Sequence, residues 1–115
     1  MIIITNPLKN TFMKFVTHNN KKINSAGTSG QGSIFVKFTT LVNKLGQPDL
    51  GSGDNKVAAS WDIEFESGDI VTIYNWKDGK NYLGIEGLDI EDITDWHVGG
   101  FNKSALNLVR EIISE

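Results

Sequence analysis

The chain has 115 residues, no cysteine and a formal net charge of −3. Its length allows one hydrophobic core, and the lack of thiols excludes a disulfide scaffold and thiolate-held zinc or iron–sulfur centres. The charge is unevenly placed, because residues 1–48 carry six lysines and no acid while residues 49–95 carry twelve acids against three lysines. Such a split predicts either mutual neutralisation in the fold or a dipolar molecule whose basic side attracts an anion.

The opening MIIITNPLKN has an apolar run of only Ile2 to Ile4, too short for a signal-peptide core or a membrane span, so a cytosolic chain without a targeting segment is expected. Residues 11–17, TFMKFVT, have the β-branched and aromatic content of a short strand, and a polar connection follows. The stretch 25–48 begins as a Gly-rich loop. From Gly32 to Leu45 its apolar residues Ile34, Phe35, Phe38, Leu41, Val42 and Leu45 keep the rhythm of one helical stripe. A helix is therefore expected over 32–45, capped by Ser29 or Ser33 and stopped by Gly46 and Pro48.

A Gly/Asp/Asn loop separates this helix from KVAASWDIEFE, in which Val57, Ala59, Trp61, Ile63 and Phe65 alternate with mostly polar residues. That is the period of a half-buried strand, and the Ser67-Gly68 turn leads into a partner, DIVTIYNWK, to make an antiparallel hairpin. Residues 77–95 are Gly- and acid-rich with scattered apolar points at Tyr82, Leu83, Ile85, Leu88, Ile90 and Ile93. Loops of this length are uncommon in compact domains and are often functional. A third strand over 94–98 ends at Gly99-Gly100. Asn102 then caps a final helix with Ala105, Leu106, Val109, Ile112 and Ile113 on one face. The order predicts a single α+β domain over 1–115, with an antiparallel sheet of three to four strands and two helices packed on one face. Its parts are an N-terminal strand and loop (1–24), the Gly-rich loop and helix (25–48), antiparallel strands (56–98) and a C-terminal helix (102–114).

Gly27 to Ser33 has the spacing of a phosphate loop but carries Ser33 where the lysine should stand, which argues against a nucleotide triphosphatase. A weaker anion-binding turn at a helix start remains, with Lys21 and Lys22 upstream, set against a plain flexible connection. Trp61, Tyr74, Trp76, Tyr82 and Trp96 read either as core or as stacking faces. His18 and His97 have no ligand spacing for zinc, and the acids of 86–95 do not fit a calcium loop, so no metal and no cofactor are expected. His97 beside Asp95 suits acid–base chemistry or a structural role. No nucleophile constellation can be picked out, and a non-enzyme is expected.

Taken together, Ser29, Gln31 and Gly32 before a helix ending Leu45-Gly46-x-Pro48, Trp61 in a strand, Ile73-Tyr74-x-Trp76-Lys77 and Trp96-His97-Val98-Gly99-Gly100 resemble a family of small tailed-bacteriophage proteins over about residues 25–113. The resemblance implies phage origin and the cytoplasm of the infected host, and no particular activity. In that setting, the expected function is non-catalytic sequestration of a nucleotide immune signal. Lys22, Ser29, Gln31 and Gly32 are expected to hold phosphate and Trp96 or Tyr74 to stack a base, with Ser33 and His97 as further ligand-binding residues. The expected partner is a nucleotide-type anionic small molecule, with a homo-oligomer as the assembly and neither membrane nor direct DNA binding. The alternative is a protein-binding inhibitor or accessory protein that meets a host defence protein through its acidic hairpin and the 77–95 loop.

Overall fold

A computed structural model describes residues 13–50 and 55–114. The expectations for the opening ten residues, for Thr11 and Phe12 and for residues 51–54 lie outside the described residues. Among the described residues six strands form one antiparallel sheet: β1 (Phe15–Thr17), β2 (Ser29–Phe35), β3 (Asp49–Leu50), β4 (Ala59–Phe65), β5 (Ile70–Tyr74) and β6 (Asp95–Gly100). Helix α1 spans Phe38–Leu45, the single turn α2 spans Lys80–Leu83 and helix α3 spans Ser104–Ser114. The strand order is β1-β4-β5-β6-β2, with β3 also paired to β4. The α+β class is as the sequence predicts, with the sheet wider than three to four strands. No helix among the described residues is long and apolar enough to cross a membrane.

The β4–β5 hairpin sets the faces. Trp61 pairs with Ile73 and Ile63 with Val71, so these residues share the face that α1 and α3 cover. Their neighbours Ser60, Asp62, Glu64, Thr72 and Tyr74 point to the other face by the period of a strand. Under the helices the core centres on two indoles, Trp61 and Trp96, packed edge to face at 5.4 Å, with Phe38 against both at 6.0 and 6.3 Å. Both indole N–H groups are satisfied at the ends of α1: Trp96 Nε1 donates to Val36 O (3.1 Å) and Trp61 Nε1 to Gly46 O (2.8 Å). Buried indoles need such a partner, and here the partners fix where the helix starts and stops.

The helix expected over 32–45 is shorter, and its first part is a strand. Residues 29–35 pair with β6, and the helix begins only at Phe38. Phe38, Leu41, Val42 and Leu45 are a true helical stripe, whereas Ile34 reaches the same core from a strand whose register sets it opposite Trp96. Gly32 has φ 153°, and a Cβ there would stand 2.8 Å from Leu106 Cδ2. Helix α3 therefore packs directly on the backbone of β2, and the local β-branched content favours the extended form. Ser29 and Ser33 cap nothing. Gly46 does end the helix, at φ 88°, and its N–H donates to Val42 O (2.8 Å). Asn102 Oδ1 accepts from Ser104 N (2.9 Å) at the start of α3.

Because β1 and β2 lie at opposite sides of the sheet, the connection over residues 18–28 has to cross it. It does so on the face away from α1 and α3. His18 N donates to Asp62 O (3.0 Å), and Lys21 Nζ meets the outward-facing Glu64 at 3.0 Å. Ile23 is buried but outside the core cluster. Among the described residues one ion pair thus joins the basic and acidic halves of the chain, exposed enough to add little stability.

Candidate functional site

The Gly-rich stretch and the Trp-His-Val-Gly-Gly stretch are neighbours in space, as β2 and β6. Their register sets Ser33 opposite His97 and Ile34 opposite Trp96, and Tyr74 of β5 opposite His97 on its other side. Ser33, His97 and Tyr74 therefore form one row on the outer face, with the Tyr74 and His97 rings stacked at 5.6 Å and 23°. Tyr74 also leans over paired glycines: its Cε1 stands 3.6 Å from where a Cβ on Gly99 would be, and its hydroxyl 3.9 Å from one on Gly30. These glycines give an aromatic ring room to lie on the sheet. Gly100, on the core side, makes the same room for Ala105 of α3.

Other members of the expected site do not join that row. Trp96 is fully buried and cannot stack on a ligand, which corrects its expected place on the base side. Gly32 faces α3 rather than the row. Gln31 sits at a bulge, where its amide donates to Gly100 O (3.1 Å) and to Ser29 O (3.3 Å) while its own carbonyl accepts from Lys103 Nζ (3.2 Å). That clamp holds the strand ends to the start of α3. Lys22 is exposed on the crossing connection. With an extended β2 in place of a loop entering a helix, alternate backbone N–H groups bond to β6 and the others point away along the strand edge, so the convergent amides of the expected phosphate turn are absent from residues 29–33.

On the same face Asp62 is half-buried beneath the crossing connection. Burial pushes its carboxyl above the usual range, His18 pulls it back, and Asp49 pushes it further up. His18 Nε2 is buried with no hydrogen-bond partner among the described residues. Among those residues, no group of three or more His, Asp or Glu side chains is placed to hold a metal ion.

A different feature stands out beyond β5. Asn75 is fully buried; its Oδ1 accepts from Ala58 N (2.7 Å) and Ala59 N (3.1 Å), and its Nδ2 donates to Asp78 Oδ1 (2.9 Å). From this anchor the chain turns through Lys77, whose φ of 64° is rare for a residue with a Cβ and is held by Lys77 N donating to Lys56 O (2.8 Å). Residues 79–88 then make a compact loop whose ends meet. Leu88 N donates to Asp78 O (2.8 Å), Lys80 N donates to Leu88 O (3.2 Å), and Gly79 bridges Leu88. Such a closed neck defines an Ω-loop.

The loop turns its apolar side chains outward. Ile85 is 91% exposed, Leu83 48%, Leu88 43% and Tyr82 40%, beside Trp76 at 40%. Lys77 Nζ stands 5.7 Å from the Trp76 ring and 5.8 Å from the Tyr82 ring, tying loop to sheet by two cation–π contacts. Glu86, Asp89, Glu91 and Asp92 are exposed around it, and of these only Asp89 has an ion pair among the described residues, to Lys80 (3.0 Å). A set of exposed apolar side chains on one short loop with a charged surround is the composition of a protein-contact surface. The sequence shows these apolar points without helical or strand period; the feature it hides is the pinched neck, made by the backbone of Asp78, Gly79, Lys80 and Leu88.

No protein-family model, curated protein or solved structure matches this chain.

Proposed function

We propose that the protein is a non-catalytic binding protein that docks another protein through the 79–88 loop and Trp76. The observation that carries this is Ile85 at 91% exposure, at the tip of a loop held shut by backbone hydrogen bonds. A pinned loop loses little conformational freedom on binding, so burying its apolar side chains contributes to affinity at about 25 cal/mol per Å² before the other costs of association. The acids around it select a partner with an apolar cleft and a basic rim. In the setting that the resemblance to tailed-phage proteins implies, that partner is a host protein in the infected cytoplasm. A photo-crosslinking amino acid at position 85 tests it in cells: a discrete protein adduct, lost when Leu83 and Leu88 become Asp, supports the reading. Its absence from an abundant, folded protein counts against it.

Sequestration of a nucleotide is the second reading, favoured by one observation, the Tyr74–His97 stack beside Ser33 on the outer face. Calorimetry against cyclic oligonucleotides and ADP-ribose-type signals, with Tyr74→Ala as control, separates it from the first.

A further inference from the structure

Strand β2 is the last strand of the sheet on its side, and among the described residues nothing pairs with its outer edge. In an antiparallel pair, alternate residues exchange both backbone bonds with the neighbour and the residues between them face away. Val36 N donates to Thr94 O (3.0 Å), so counting back along the register, Ile34 and Gly32 bond inward to β6. Ser33 and Phe35 are left with N–H and C=O groups directed outward.

Beside this edge runs a groove of roughly 360 Å³ between Ser33–Val36 and the C-terminal half of α3, where it is lined by Arg110, Ile113 and Ser114. Phe35 is 77% exposed at its lip. Arg110 is exposed and has no ion pair among the described residues. Arg110 and Ile113 are one turn apart on α3, and alternate residues of an extended strand have a similar spacing, both about 5–7 Å.

We propose that the β2 edge and this groove bind an extended segment of another protein as an added strand, with an acidic residue meeting Arg110 and an apolar residue two positions away lying on Ile113 and Ile34. Main-chain bonds to Ser33 and Phe35 supply register, and alternate side chains supply selection. Charge decides against a second copy of this chain as the occupant. A twofold pairing of β2 with itself about Ile34 would bring two Arg110 side chains towards one axis, and residues 28–37 carry no acid to separate them. The surface is separate from the 79–88 loop, and the proposal does not rest on that loop.

The probe is a fluorescein-labelled, end-blocked peptide that alternates valine and threonine around one aspartate, compared with the same peptide carrying lysine instead. Saturable binding of the aspartate peptide is expected, with at least about tenfold preference over the lysine peptide, and slowed hydrogen exchange at the Ser33 and Phe35 amides. Arg110→Glu, an exposed change that circular dichroism can confirm as folded, should reverse the preference. Failure of either peptide to saturate, a preference unchanged by Arg110→Glu, or binding without protection of those two amides would overturn the proposal. So would protection of both amides without peptide in a protein that sediments as a dimer.

Discussion

Gly87 lies against the backbone of Gly79 so closely that a methyl group on Gly87 would overlap the Gly79 carbonyl and stand 2.6 Å from Lys80 N. The same carbonyl accepts from Tyr82 N (3.1 Å) and Leu83 N (3.0 Å). The close approach of Gly87 at the neck and the single turn that carries Tyr82 and Leu83 therefore meet at one atom, Gly79 O. Gly87→Ala should force the neck open, at a cost of about 1–3 kcal/mol for backbone that has to move. Hydrogen exchange at Leu88 N, which donates across the neck, should accelerate more than exchange within β4.

Asn75 is the other support. Asn75→Ala would leave the Ala58 and Ala59 N–H groups and Asp78 Oδ1 without their side-chain partner in a buried place. The expected loss is about 2–4 kcal/mol in denaturant unfolding. Asn75→Asp should lose less at acid pH than at neutral pH, because at neutral pH it sets two carboxylates against each other at the Asp78 contact.

Trp96 separates core from ligand. Trp96→Phe removes the bond to Val36 O and shrinks a fully buried ring, so stability should fall by about 1–3 kcal/mol. Binding of any ligand on the outer face should be unchanged once the variant is folded. If it weakened ligand binding with stability unaltered, the placement of the indole in the core would be contradicted.

Asp62 gives a pH dependence with a definite sign. Its folded-state pKa is raised, chiefly by burial, so the folded state takes up that proton more readily than the unfolded state, and the ionised carboxylate weighs against folding at neutral pH. The penalty disappears as pH falls through the raised value toward the ordinary one. Asp62→Asn should therefore stabilise at pH 7 by less than about 1 kcal/mol, since solvent screens a half-exposed group. Melting temperatures of the two proteins should converge on acidification, and a growing gap would refute the assignment.

Much of this fold was legible in the residues. Alternation from Ala59 to Phe65 and the Ser67-Gly68 turn mark the central hairpin, and Ala105, Val109 and Ile112 of the last helix are buried as their spacing predicts. The segment from Gly30 to Val36 was not, because Ile34 falls four residues before Phe38 and so extends a helical stripe from within a strand. Only the pairing with β6, distant in sequence, decides between the two. The site suffered most from that ambiguity. Ser33, Tyr74 and His97 do meet, yet Gly30 and Gly32, which read as part of a phosphate turn, make room for Tyr74 and Leu106 instead. In the 79–88 loop the apolar residues were visible, but their exposure follows from Gly79, Gly87 and Asn75, whose roles no local pattern announces.

On the proposed reading, the apolar side chains of the loop are held outward for a partner rather than for the fold. The most direct measurement is the paired change Leu83→Asp and Ile85→Asp, read by thermal unfolding and by the stoichiometry of the protein recovered with it from cells. Exposed positions tolerate such changes within about 0.5 kcal/mol each, so the melting temperature should hold within a few degrees while the partner is lost. A partner retained at full stoichiometry, or unfolding lowered as far as by Asn75→Ala, would contradict the account.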